Sequence, residues 1–248
     1  MYYNRVELKA RARESMRNST TSPYITALIY CAVIYVISLL SARLMRVDGL
    51  TLAQLLNSGY AVENPEVLVQ WYISVRPGVF AYVIDVLLNF MSYLLYAGFV
   101  IFVLRMIRQQ QNSLWNLMDG FQSFLKIIGL NIITGILTFL WSLLFIIPGI
   151  VAAYRYRQAL YLLLDHPEIG IFECIRESKR LMRGHKAELF ILDLSFIGWA
   201  LLSIIPFVSV YTLPYTESTY ALYYSMLREQ DAAPGPDRGP DPGAWYNN

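Results

Sequence analysis

Four charged residues in apolar surroundings are the chain's most demanding feature. Arg155 and Arg157 sit in a short, otherwise apolar stretch, and Asp85 and Asp193 each interrupt a long apolar run. An arginine at the centre of a membrane helix costs about 2.5–3.5 kcal/mol on the insertion scale, so it persists only by snorkelling, pairing or lining a wet cavity. One chemistry is an intramembrane polar network in which Arg155 or Arg157 pairs with Asp193 or Asp85. The other is a tilted or re-entrant segment whose arginines reach the inner headgroups and pack the bundle. Two residues apart on a helix, the arginines project about 200° from each other, so both cannot fully face one cavity. Asp193, within Phe190–Trp199, suits either proton or cation handling or a buried partner role, and unpaired intramembrane carboxylates are rare. Asp85 lies near the outer face, where hydration is available. Arg183, His185 and Lys186, around Gly184, are candidate contacts for lipid phosphate at the inner leaflet. They also serve as a helix end with a basic anchor.

Catalytic patterns are missing from the sequence. His166 and His185 have no companions at metal-ligand spacing. There is no phosphate-binding glycine loop and no nucleophile elbow. Ser195 stands too near Asp193 on one helix to make a persuasive nucleophile–base pair. Cys31 and Cys174 form neither a disulfide framework nor a zinc site. The expectation is a non-enzyme with no cofactor and no metal.

These residues must be positioned by apolar elements. Of 248 residues, 56% are hydrophobic and 15% charged, the net charge is +2, and mean hydropathy is +0.41. Soluble domains average about 45–50% apolar and about 25% charged. The composition excludes a disordered chain, a nucleic-acid binder and an ordinary soluble enzyme. It predicts an all-α polytopic membrane helix bundle of about six transmembrane helices, with short amphipathic interfacial helices. The spans are placed at 23–45, 79–104, 121–147, 150–164, 187–210 and 213–227. Residues 1–229 form one integral membrane domain. Residues 46–78 form an extracytoplasmic loop, 168–183 an amphipathic cytoplasmic helix, and 230–248 a disordered Pro/Gly/Asp-rich tail.

Local signals refine this. Asn4 and Glu7 match a capping box for a basic helix over 4–18, whose thin stripe Val6, Leu8, Ala12 and Met16 suits an anionic membrane surface or a solvated arm. Asp165 and Glu168 match a second box, opening the helix at 168. Thr216–Thr219 weakens the last span, whose tyrosines suit an interface belt or core packing. With the N-terminus inside, fourteen Lys and Arg fall in inner segments and three in outer ones. That places both termini in the cytoplasm.

The residues from Phe145 onward carry a resemblance. Phe145-Ile146-Ile147-Pro148-Gly149-Ile150, Tyr154-Arg155-Tyr156 and Asp165-His166-Pro167 precede Glu177-Ser178-Lys179-Arg180-Leu181-Met182-Arg183-Gly184-His185-Lys186 and Leu192-Asp193-Leu194-Ser195-Phe196-Ile197-Gly198-Trp199. Together they resemble the bacterial integral membrane protein family known as domain of unknown function 975. They are also distantly similar to the membrane region of some bacterial glycerophosphodiester phosphodiesterases, whose catalytic domain is absent here. The resemblance implies a multi-pass protein of the bacterial cytoplasmic membrane and transfers no catalytic residue. The expected role is a non-enzymatic membrane module acting through lipid or protein contacts in envelope maintenance. Its partners would be membrane lipids, with a protein partner or homo-oligomer and no nucleic acid. The alternative is a small transporter or permease component using the intramembrane Arg and Asp residues, for which six short spans leave little room.

Overall fold

A computed structural model describes residues 4–45, 66–68, 77–203 and 205–232, and these contain helices, turns and no strand. The expected outer loop 46–78 falls almost wholly outside the described residues, as does the expected tail 230–248 from 233 onward, whereas residues 230–232 are helical, with Asp231 paired to Arg180, and not disordered. Helix α1 is Arg5–Arg17, α2 Pro23–Leu44, α3 Val79–Ile107, α4 Asn116–Asp119 and α5 Phe124–Leu144. Then follow α6 Ile146–Tyr156, α7 Ala159–Asp165, α8 Ile171–Leu181, α9 Lys186–Leu194, α10 Ile197–Leu202 and α11 Pro206–Ala232. Helices α2, α3 and α5 are long and apolar enough to cross a membrane, since about 20 residues at 1.5 Å each span the hydrocarbon.

The chain divides into two compact units, residues 1–30 with 94–248, and residues 31–93. Among the described residues of the smaller unit, apolar side chains such as Val36, Leu39, Phe80 and Leu87 are exposed. Asp85 there accepts hydrogen bonds from Ser41 Oγ and from Asn89 Nδ2. In the larger unit the core gathers Phe99, Phe102 and Met106 of α3, Ile127 and Leu130 of α5, Leu162 and Leu163 of α7, Leu189 of α9, and Tyr223 and Tyr224 of α11.

Asn4 caps α1 by accepting the Val6 N–H at 3.1 Å, while Glu7 turns to Arg11 at 2.8 Å instead of reaching back to the cap. The stripe Leu8, Ala12 and Met16 is buried, and α1 packs along α11, whereas Val6 stays exposed. The apolar side of this basic helix therefore belongs to the protein core.

The last two expected spans before the C-terminal helix are interrupted. Residues 150–164 divide between α6 and α7 at Arg157–Gln158, and residues 187–210 divide between α9 and α10 at Ser195–Phe196. Pro206 opens α11, a position where a missing N–H costs nothing, so one helix holds the end of the expected fifth span and all of the sixth. Helix α8 begins at Ile171 behind Gly170, later than the capping-box spacing predicts. Asp165 is committed to Arg108 and Tyr224, and Glu168 to His166, so neither carboxylate is available as a cap.

Close approaches fix the corners. A Cβ on Gly98 would lie 2.1 Å from the Leu117 carbonyl oxygen, and one on Gly120 would lie 2.2 Å from that of Leu94. The segment around α4 thus lies directly on the α3 backbone. Asn112 ties the neighbouring loop to the α1–α2 turn: its Oδ1 accepts Thr20 Oγ1 and the Thr21 N–H, its Nδ2 donates to Ser19 Oγ, and its carbonyl accepts Thr21 Oγ1.

Two outcomes follow. Gly98→Ala forces backbone to move and should lower stability by about 1–3 kcal/mol, as overpacking does; a thermal melt in mild detergent checks this, with Gly135→Ala, where nothing stands within 4 Å, as the control. Cys174 on α8 is fully buried, and burial pushes its thiol up to about 11. It should therefore resist a maleimide at neutral pH and react only after unfolding, which a mass shift reads directly.

Candidate functional site

The two helix breaks meet around one polar network. Arg157 and Gln158 fill the turn between α6 and α7, while the Arg155 carbonyl left near the α6 end accepts Ser178 Oγ from α8 at 2.9 Å. Asp193 stands in the last turn of α9. Its Oδ2 lies 3.8 Å from Arg157 Nη1 and accepts the Tyr154 hydroxyl at 2.7 Å. The Arg157 guanidinium also covers the Tyr220 ring of α11, 4.7 Å from its centroid. At the second break, Lys9 of α1 donates to the Ser195 carbonyl at 3.2 Å and lies 4.2 Å over the Phe196 ring. Burial, then the neighbouring Arg5 and Arg13, hold the Lys9 ammonium below its ordinary value.

Among the residues singled out in the sequence, the structure brings Arg157 and Asp193 together. Arg155 points elsewhere, 5.7 Å over the Trp141 ring of α5. Asp85 belongs to the other unit, with Ser41 and Asn89 as its partners. Arg183, His185 and Lys186 form the α8–α9 corner, where Gly184 adopts φ +81°, a conformation open to glycine. His185 engages Glu188 through Nδ1 at 2.9 Å, and its carbonyl accepts the Tyr223 hydroxyl at 3.0 Å. Arg183 is exposed.

Sequence reasoning passed over Glu217. This carboxyl is 8% exposed, and its oxygens take the Tyr96 hydroxyl of α3 and the Tyr161 hydroxyl of α7, all at 3.2 Å. The polar group around it is otherwise self-contained. Thr216, Ser218 and Thr219 return their hydroxyls to the carbonyls of Thr212, Pro214 and Tyr215 on the same helix. Glu217 alone of the four reaches other helices. The available signal was its isolation: it is the sole charged residue between Asp193 and Arg228.

A second polar assembly lies at the other end of this helix group. Arg108, just past α3, clasps Asp165 through two hydrogen bonds of 2.8 and 2.7 Å, and Tyr224 donates to the same carboxylate at 2.8 Å. Those bonds to Asp165 hold the Arg108 guanidinium above its ordinary value. His166 bridges Glu168 and Arg228, at 3.1 Å on each side. Arg11, Glu14, Arg108, His166, Ser225 and Arg228 border a cleft of about 860 Å³. Asp165 and Glu229 also line it, so cations and carboxylates are mixed there, and it suits a group carrying both signs or a charged protein surface. Among the described residues, no group of three His, Cys, Asp or Glu side chains could hold a metal ion.

A family model described as Protein of unknown function (DUF975) matches residues 144–231, the family that the sequence resembles. The match covers α6 through almost all of α11, and with them Arg157, Asp193 and Glu217. No curated protein and no solved structure matches the chain.

The Arg108–Asp165 pair lies between the exposed and buried regimes, with side chains 39% and 10% exposed. A double-mutant cycle of Arg108→Met and Asp165→Asn should therefore give a coupling of about 1–3 kcal/mol, above that of surface pairs and below the loss from breaking a buried pair. Chemical or thermal unfolding of the four proteins measures it. A coupling near zero would show that the two bonds contribute nothing net.

Proposed function

We propose that the chain is a multi-pass protein of the bacterial cytoplasmic membrane, with six spans and both termini cytoplasmic. It acts without chemistry of its own, through lipid and protein contacts that maintain the envelope. Three helices of membrane-crossing length and apolarity support the setting, and the inner excess of Lys and Arg supports the orientation. In this frame α6–α7 and α9–α10 are the interrupted fourth and fifth spans, and α11 carries the sixth.

The observation that carries the functional reading is the cleft bordered by α1, the α3 end, the α7 end and α11. Its charged residues fall in the segments assigned to the cytoplasmic face, at headgroup level. Guanidinium groups there suit lipid phosphate, and the interleaved carboxylates suit a headgroup ammonium or a basic protein segment. The exposed arginines of α1 and the Arg183 corner are assigned to the same cytoplasmic side.

A second reading, a small transporter component, draws on one observation. Two broken helices meet at Arg157 and Asp193, and discontinuous helices near the midplane are where secondary transporters build substrate sites.

Native mass spectrometry of the protein extracted in a mild detergent separates these readings. The expected result is a retained phospholipid or a reproducible partner protein, weakened at least several-fold when Arg108 and Arg228 are both replaced by Gln. A specific small solute lost from Arg157→Gln and Asp193→Asn, with lipid retention unchanged, would overturn the module reading in favour of transport.

A further inference from the structure

The three carboxylates that the larger unit's polar helices share with tyrosines are not treated alike. Asp165 has Arg108 on both oxygens, and its tyrosine sits at 2.8 Å. Asp193 has Arg157 at 3.8 Å, and its tyrosine sits at 2.7 Å. Glu217 is the most buried of the three by its environment, yet among the described residues no cation lies within 4 Å of it. Its two tyrosines stand off at 3.2 Å. Charge-assisted O–H···O⁻ bonds contract to about 2.5–2.7 Å. The short contacts thus fall on the carboxylates that own an arginine, and the long ones on the carboxyl that does not.

Charge counting gives the same answer. Arg157 faces two acids, Asp193 of α9 and Glu217 of α11, near enough to Glu217 for their charges to interact. Among the described residues, the hydrogen-bond partners of Glu217 are the phenols Tyr96 from α3 and Tyr161 from α7, while Tyr220, one turn along its own helix, bonds Asp193 and lies under Arg157. One guanidinium cannot neutralise two carboxylates. An unpaired buried carboxylate costs several kcal/mol, and such groups take up a proton instead. A neutral acid also fits the hydrogen-bond inventory: its O–H donates to one phenol oxygen, and its carbonyl oxygen accepts from the other phenol.

We propose that Glu217 is a proton-binding site, a neutral carboxylic acid as long as Arg157 rests on Asp193. Release of the proton from the Glu217 carboxyl to water leaves a carboxylate, and the Arg157 guanidinium, half-exposed and resting on the Tyr220 ring one turn along α11 from Glu217, moves from Asp193 to balance it. Proton binding and the choice of Arg157's partner are then one equilibrium. This stands apart from the lipid-and-protein reading above, because it concerns the helix interior and not the cleft.

Infrared spectroscopy of the full-length protein in lipid nanodiscs tests it through the C=O stretch of a protonated, buried carboxyl. At neutral pH the wild type should show this band, and Glu217→Gln should abolish it. Arg157→Gln should leave it in place. Asp193→Asn, which frees the guanidinium for Glu217, should reduce it at least several-fold. Glutamine copies the shape of a neutral acid, so Glu217→Gln should also melt close to the wild type. A wild type without the band, or a band that survives Glu217→Gln, overturns the protonated site. A band kept at full intensity in Asp193→Asn overturns the exchange of Arg157. Should Glu217→Gln fail to fold, the wild-type and Asp193→Asn spectra still decide both points.

Discussion

A helix that breaks leaves backbone groups and charges to be satisfied, and in the larger unit side chains from other elements meet that need. Each break has a side chain assigned to it from a different element. Ser178 of α8 takes the Arg155 carbonyl beside the first break, and Lys9 of α1 takes the Ser195 carbonyl at the second. The hydroxyls of Ser195 and Ser203 return to the Leu192 and Trp199 carbonyls along the same stretch. Pro214 removes one N–H from the middle of α11, and Thr212, Thr216, Ser218 and Thr219 surround it with hydroxyls bonded back to their own helix. The polarity that makes these segments poor apolar spans is largely spent on carbonyls a turn away.

That constraint also explains why the N-terminal helix is fastened down. Leu8, Ala12 and Met16 are buried where α1 packs on α11, and Lys9 reaches the α9–α10 break. Asn112 secures the following turn from the opposite side with four hydrogen bonds to Ser19, Thr20 and Thr21. A basic amphipathic helix left on a lipid surface could not supply a cation to the Ser195 carbonyl. Docked on α11, it becomes part of the bundle's polar wiring, and its remaining arginines face outward.

What the sequence discloses follows from the range of the interactions involved. The runs that became α2, α3 and α5 are legible because a long apolar helix is specified by composition alone. The pairing of Arg157 with Asp193 was among the arrangements open in the sequence, since two opposite charges in apolar surroundings have few other partners. The break at Arg157–Gln158 was not legible, because it depends on Ser178 standing 23 residues away to take a carbonyl. The start of α8 was misplaced for a similar reason: Asp165 and Glu168 have capping spacing, but a two-bond clasp with Arg108 outweighs a cap worth about 1 kcal/mol. Asp85 looked like a hydrated residue or a candidate for Arg155 or Arg157, yet Asn89 one turn along its own helix and Ser41 of α2 already supply its hydrogen bonds.

Glu217 shows where hydropathy misleads most. In a window average, Thr216-Glu217-Ser218-Thr219 reads as one polar patch that weakens a span. Geometry separates the four: three hydroxyls are cancelled within the helix, and the carboxyl is carried into a pocket of phenols. Tyr96 stands about 16 Å of axial rise from the α3 end at Ile107, so the phenol meeting Glu217 comes from well inside the longest apolar helix. Phenols can donate to a carboxylate or share hydrogen bonds with a carboxylic acid, and they carry no charge in either case. Lining the pocket with tyrosine instead of arginine leaves the acid's charge state to be set by Arg157 and its choice between two acids. The tyrosines of α11 have partners inside the larger unit: Tyr211 and Tyr215 pack on Trp199, Tyr220 lies under Arg157, Tyr223 donates to the His185 carbonyl, and Tyr224 bonds Asp165 and stacks on Tyr161.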